Sequence, residues 1–249
     1  SDLTVIGISN LLPIGKKSYL KNTLAYSATN TQNESRILGD DNTMFVALNE
    51  KYQHNYFKYV STFNTKLNAK NSVKAGIEYT RLGFDIKSVN DFKNTGAFTT
   101  DVNSEGKSHL FQSFVNWKYR ITSDFTVVSG VHASYFKLNN DYTIEPRVGL
   151  KYQFLSNQSF SFGFGMHSKT ESLSTYFVQL HDNENNTYTP NKNLKMSKAI
   201  HYVLGYNNQL NHNLHLKAEA YYQDLYDVAV ENDPNSKIVL QDIKEGLGF

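Results

Sequence analysis

From Thr143 to Phe154 every second residue shares a character. Ile144, Pro146, Val148, Leu150, Tyr152 and Phe154 lie on one parity, and Thr143, Glu145, Arg147, Gly149, Lys151 and Gln153 on the other. A period of two marks a β-strand, whose successive side chains point to opposite faces, and about ten tilted strand residues cross a bilayer. The pattern returns along the chain. Phe160, Phe162, Phe164 and Met166 alternate with Ser159, Ser161, Gly163, Gly165 and His167. Phe111, Val115, Trp117, Tyr119 and Ile121 oppose Gln112, Asn116, Lys118 and Arg120, and Phe125, Val127, Val131, Ala133 and Tyr135 oppose Thr126, Gly130, His132 and Ser134. Ile200, Tyr202, Leu204 and Tyr206 form another such face, as do Leu214, Leu216, Ala218, Ala220 and Tyr222. Nearer the N-terminus, Phe57, Tyr59 and Phe63 alternate with Lys58, Thr62 and Asn64, and Val73, Ala75, Ile77 and Tyr79 with Lys74, Gly76, Glu78 and Thr80. That last strand changes phase near Arg81-Leu82, where a bulge is expected. No stretch of helical period competes.

The connections are sorted. Short ones at Leu11-Lys16, Leu67-Asn71, Thr122-Ser123, Leu155-Asn157 and Asn211-His212 take turns with longer polar excursions near 30–49, 87–106, Leu138-Tyr142, 168–198 and Glu231-Lys237. Antiparallel strands with tight turns at one end and long loops at the other describe an up-and-down barrel with two unlike rims. The apolar faces need a partner, which is a second sheet in a soluble β-sandwich and lipid in a membrane barrel. Strand length, aromatics at the strand ends, and Lys, Arg, Glu and His in mid-strand on the opposite face favour lipid; a dry core would penalise those charges. The expected fold is therefore all-β: a transmembrane antiparallel up-and-down β-barrel. Ten strands are centred near residues 6, 23, 58, 79, 114, 131, 148, 163, 204 and 221, with an eleventh starting after Gln241. Residues 1–249 read as part of one barrel domain, about half of a 22-stranded barrel.

Composition narrows the alternatives. The 249 residues include no Cys, which removes disulfides and thiolate sites, and 17 Tyr and 16 Phe stand beside only 4 Pro. No apolar run is long enough for a membrane-spanning helix. A net charge of +2 with no basic block argues against nucleic acid as a partner. The first residues, Ser1-Asp2-Leu3-Thr4-Val5, carry no export leader, so either a leader was removed or the sequence is an excerpt.

Ile144-Glu145-Pro146-Arg147-Val148-Gly149-Leu150-Lys151-Tyr152, with the strand that ends Gly163-Phe164-Gly165-Met166-His167-Ser168, resembles the barrel of TonB-dependent outer-membrane receptors of the Bacteroidetes type. Asn191-Lys192-Asn193-Leu194, the strand Ser197 to Tyr206, and Leu216 to Gln223 extend the likeness, which is strongest from about 143 to 230. The resemblance implies a 22-stranded barrel with an N-terminal plug, a segment that engages TonB, and ligand uptake across the outer membrane of a Gram-negative bacterium. A plug and a coupling segment are not found in these residues. Implied partners are the lipid bilayer and lipopolysaccharide, the plug domain and TonB in the full-length protein, and a small-molecule or oligomeric ligand.

Candidate site residues follow from the strand register. Glu145, Arg147, Lys151, His167, His201, Lys217 and Glu219 fall on the polar face and are the lumen-lining candidates, with local pairing within the wall as the plainer reading of Glu145/Arg147 and Lys217/Glu219. In the long loop, Leu173, Tyr176, Phe177, Val178 and Leu180 form an apolar patch that either packs over the barrel mouth or meets ligand; packing is the simpler outcome. Tyr176, Phe177, His181 and Asp182 are the loop candidates for ligand contact. His181, Asp182 and Glu184 lack zinc spacing, and neither Asp40-Asp41-Asn42 nor Asp182 to Asn186 matches an EF-hand, so no metal and no cofactor is expected. No nucleophile elbow, phosphate loop or paired carboxylates support an enzyme. The expected function is TonB-dependent uptake of a scarce ligand such as a siderophore, oligosaccharide, peptide or cofactor. A passive porin or an outer-membrane adhesin is the alternative, with an outer-membrane enzyme or a soluble β-sandwich binding protein behind it.

Overall fold

The computed structural model describes residues 1–182, 184, 186–231 and 240–243. Ten long strands dominate it: β1 (Asp2–Ile14), β2 (Ser18–Leu38), β3 (Met44–Lys66), β4 (Asn71–Asn90), β5 (Thr99–Arg120), β6 (Phe125–Phe136), β7 (Asp141–Leu155), β8 (Gln158–Lys169), β11 (Ser197–Asn211) and β12 (Leu214–Tyr226). Between β8 and β11 lie the helical turn α1 (Leu173–Tyr176), the two-residue strands β9 (Leu180–His181) and β10 (Thr187–Tyr188), and a 3₁₀ turn, Pro190–Asn193. All ten long strands pair with their neighbours in chain order as one antiparallel meander. β13 (Val228–Glu231) and β14 (Leu240–Ile243) pair only with each other, so the strand expected after Gln241 lies outside the main sheet. Residues 232–239, where the excursion Glu231-Lys237 was expected, and 244–249 lie outside the described residues.

Tight turns join β1 to β2, β3 to β4, β5 to β6, β7 to β8 and β11 to β12, all at one rim. The other connections gather at the opposite rim. Two of the excursions read as loops are largely strand. β2 continues to Leu38 and β3 begins at Met44, while β4 reaches Asn90 and β5 starts at Thr99. Polar residues such as Asn33 and Glu50, whose side chains hydrogen-bond across β2 and β3 at 3.0 Å, suit a hairpin that stands outside lipid, and such a strand has no long apolar alternation to betray it.

The ladder places residues of like parity on one face from strand to strand. Leu24, Tyr59, Tyr79, Phe111, Tyr135 and Tyr142 are successive direct partners from β2 to β7, a row on the outer face. A second aromatic group, with Trp117, Tyr119, Phe125, Tyr152, Phe154, Phe160 and Tyr206, lies toward the short turns; Phe154 stacks on Phe160 and Phe160 packs on Tyr206, 5.1 and 5.2 Å between centroids. Phe125 and Tyr135 are ten residues apart on β6. At ~3.3 Å per residue and a tilt of ~40° this is ~25 Å of depth, the height of an outer-membrane apolar band. Between the two groups the apolar side chains are bare, with Ile144 62% and Ile77 56% exposed, while Glu145 on the opposite parity is 3% exposed. A water-soluble sandwich would reverse that ranking.

In β4 the apolar residues change face without a bulge. The β3–β4 ladder runs unbroken from Lys66/Ser72 to Leu48/Asn90, and the irregularity lies between Ser88 and Val89 in the β4–β5 ladder instead. Up to Tyr79 the odd, outward positions are apolar. Beyond it the inward Leu82, Phe84 and Ile86 are apolar, while Arg81, Asp85 and Lys87 turn outward. The strand has left lipid for water, so its apolar residues turn in. They join Val102, Phe136, Leu173, Tyr176, Leu194 and Met196 in the main buried core, which sits at the long-loop rim.

Candidate functional site

The inner face carries the polar wall. Its most organised part is a seam between β7 and β8. β7 pairs with β6 as far as Asp141, but with β8 only from Arg147 onward. Pro146 has no N–H to offer a ladder at the point where the two strands part. Side chains bridge the gap. The Glu145 carboxylate accepts from Arg147 Nη2 at 2.7 Å, from Thr143 Oγ1 at 3.1 Å and from Ser168 Oγ, and His132 Nδ1 lies 3.1 Å away. Arg147 Nε also donates to the Met166 carbonyl at 3.4 Å, an acceptor that the missing ladder leaves open. So Glu145 and Arg147 do meet, but as a buried tie within the wall, with only the Arg147 side chain, 40% exposed, reaching solvent.

The rim above is roofed by the described residues between β8 and β11. Tyr176 is fully buried and packs on Phe136, and Phe177 packs on Phe84 at 4.8 Å between centroids. Backbone bonds fasten this segment down: Gln179 N–H donates to Asp101 O at 2.7 Å, and Val102 and Val178 form an antiparallel bridge. Side chains add to it, since Met196 N–H donates to Asp141 Oδ2 at 2.7 Å and Asn139 Nδ2 to the Leu194 carbonyl. Ser172 caps the helical turn by accepting from the Thr175 N–H.

Matched against known families, the chain fits the one described as "TonB dependent receptor-like, beta-barrel" over residues 8–241. This chain belongs to that family. Similar solved structures include the siderophore receptor PiuA from Acinetobacter baumannii (TM-score 0.71, 13% identity, 97% of this chain and 42% of that one). Others are the siderophore receptor PirA from the same organism (0.69, 12%, 97% and 39%) and the copper transporter OprC (0.68, 8%, 91% and 39%). The chain thus spans about two fifths of their length, and at these identities the likeness speaks for the fold. No curated protein sequence matches it.

In this TonB-dependent receptor barrel the remaining wall candidates fall into separate groups. The rings of His167 and His201 are 4.9 Å apart on neighbouring strands, Lys217 pairs with Glu219 at 2.8 Å, and Lys151 stands exposed on β7. They share a face but do not converge on one site. Of the loop candidates, Tyr176 is an anchor in the core, inaccessible to a ligand, and its hydroxyl accepts from the Glu171 N–H. Phe177 is half-buried against the same core. His181 and Asp182 are exposed in the β9–β10 hairpin, where Asp182 Oδ1 accepts from the N–H groups of Glu184 and Asn186. Those bonds, that of Asn186 foremost, hold the Asp182 carboxyl below its ordinary pKa. Among the described residues no group of His, Cys, Asp and Glu has the arrangement of a metal site. Parity had already put His132 on the inner face as a wall residue, whereas Ser168 and Asn191, the last fully buried, were not among the sequence candidates. The loss of alternation in β8 at Ser168 and the proline within β7 were the signals that pointed there.

Proposed function

We propose that this chain is part of the wall of a TonB-dependent receptor, of the Bacteroidetes type, in the outer membrane of a Gram-negative bacterium, and that the full-length protein takes up a scarce ligand. In this reading residues 1–249 are one portion of a single barrel domain. A plug domain and the remaining strands belong to the full-length protein, and TonB supplies the energy. The observation that carries the reading is the sheet itself: an antiparallel meander with bare apolar residues outward, charged residues inward, and a packed segment over one rim. Membership of the receptor family and the structural likeness to siderophore receptors and a copper transporter support it. The wall positions the plug, the outer rim selects ligand, and catalysis has no part.

With Tyr176 and much of the apolar patch committed to packing, ligand contact falls to exposed groups of that rim, His181 and Asp182 among them. The Arg147 guanidinium and the His167–His201 pair then line the route below. Uptake of radiolabelled ferric siderophores, copper and oligopeptides is to be measured in cells with and without a functional TonB. Accumulation of one class that needs TonB supports the reading. Accumulation indifferent to TonB would place the barrel among passive pores, and display without accumulation among adhesins.

A further inference from the structure

Three cations gather on the outer face of β4 to β6, just beyond the aromatic row. Arg81 is the direct partner of His109, Lys107 lies two residues from His109 on the same face of β5, and the Lys137 N–H donates to the His109 carbonyl at 2.9 Å. All three side chains are exposed, and their charges reach the His109 ring. Among the described residues none of the three has an ion-pair partner; Lys51 engages Asp85 instead, at 3.4 Å. Asp85 and Glu105, the acids nearest on this face, sit one pair farther toward the rim.

On the membrane side of these cations lies an almost wholly apolar groove of about 500 Å³, walled by Ile77, Tyr79, Phe111, Tyr135, Tyr142 and Ile144. Its floor is low because Ser113 and Ala133, direct partners across β5 and β6, are small. Positive charge over an apolar trough suits one class of molecule, an amphiphile with an anionic head. We propose that Arg81, Lys107 and Lys137 bind the phosphate of an outer-leaflet glycolipid whose acyl chain lies in this groove. Orientation decides between leaflets: the site lies toward the long-connection rim, which in such barrels faces the cell exterior, where phosphorylated glycolipid forms the leaflet. Arg81 supplies a planar fork for phosphate oxygens, and the two lysines supply flexible point charges. The inference rests on the outer-membrane reading but is independent of which ligand is imported.

The test uses the full-length protein purified from membranes, stripped of lipid, and titrated by native mass spectrometry with bisphosphorylated lipid A or its dephosphorylated form. Wild type should prefer the phosphorylated form by at least ~10-fold, and R81E/K107E/K137E should lose that preference, since each surface cation is worth roughly a factor of five. Every variant must keep heat-modifiable gel mobility. Ala133→Trp, which fills the groove without altering charge, should weaken both lipids and leave their ratio unchanged, so the proposal stays testable if the triple variant misfolds. Equal affinity for the two lipids in wild type overturns the site alone. Absence of the protein from the outer membrane overturns both the site and the reading beneath it.

Discussion

The ring of Tyr176 sits 5.5 Å from that of Phe136, tilted by 55°, and this contact pins the segment between β8 and β11 to the inner wall. Both residues are fully buried. Tyr176→Ala should cost about 3–5 kcal/mol of local stability, the usual loss for a large aromatic in a core. Because the meander's ladders are untouched, the loss should appear as faster hydrogen exchange and proteolysis within 170–196, with the strands unchanged. Protection equal to wild type would show that the segment is held by its backbone bonds alone.

Glu145 ties β7 to β8 where their ladder is missing. Glu145→Ala removes the carboxylate that the Thr143 and Ser168 hydroxyls share and leaves them each other, 2.9 Å apart, with one proton unplaced, at about 1–3 kcal/mol, while the half-wet Arg147 loses little. Glu145→Gln keeps an acceptor oxygen and should recover part of the loss. The temperature at which the folded gel band disappears, at a fixed heating rate, should fall in the order wild type, Gln, Ala. Heat unfolding in detergent registers as a rate-dependent loss of the folded band, so a midpoint at constant heating rate is the proper quantity.

Val148 and Lys151 test the two faces of one strand. Val148 lies outward near the middle of β7, between Tyr142 and Tyr152. Val148→Arg should cost about 2–4 kcal/mol in a bilayer, since a lipid-facing cation at mid-depth is expensive. Lys151→Gln, on the wet face, should stay within about 0.5 kcal/mol. Urea unfolding in lipid vesicles reads both, and similar costs at the two positions would refute the assignment of faces.

Asp91 begins the connection from β4 to β5, and its carboxylate accepts from the Thr95 and Gly96 N–H groups and the Thr95 hydroxyl, at 2.8–3.0 Å. These bonds, the Thr95 backbone bond first, lower its pKa. A depressed carboxylate contributes stability that is present above its unfolded pKa and is lost as pH falls through the folded one. Exchange protection at Thr95 and Gly96 should therefore be constant near neutrality and fall at acid pH, below the ordinary Asp range. Asp91→Asn should flatten that dependence.

Much of the sheet was legible because lipid selects apolar side chains on every second residue, as in Ile144, Val148 and Leu150, and this selection outweighs everything else in mid-strand. Outside the bilayer the selection ends. The hairpin of β2 and β3 beyond Asn30 is therefore regular in structure and patternless in sequence, and it read as a loop. The site was legible by halves. Parity put Glu145, Arg147, His167 and His201 on the inner face, but burial depends on what lies opposite. Pro146 hinted at a break in a ladder, but nothing local to Glu145 announced that β8 would be the strand to draw away and leave Ser168 as its partner. Tyr176 misleads for a related reason: a loop aromatic looks the same whether it meets ligand or wall.

The change of face in β4 gives the strand a depth mark. Tyr79 ends the unbroken run of apolar residues turned outward and Leu82 is the first turned inward, so the water boundary is written between them. A single residue inserted at that point would keep the backbone extended yet turn Phe84 and Ile86 toward the outer leaflet and Asp85 into the core. The rim could not then be built at any depth. A long hairpin of this kind can vary freely in its tip, but not in the spacing between its two zones.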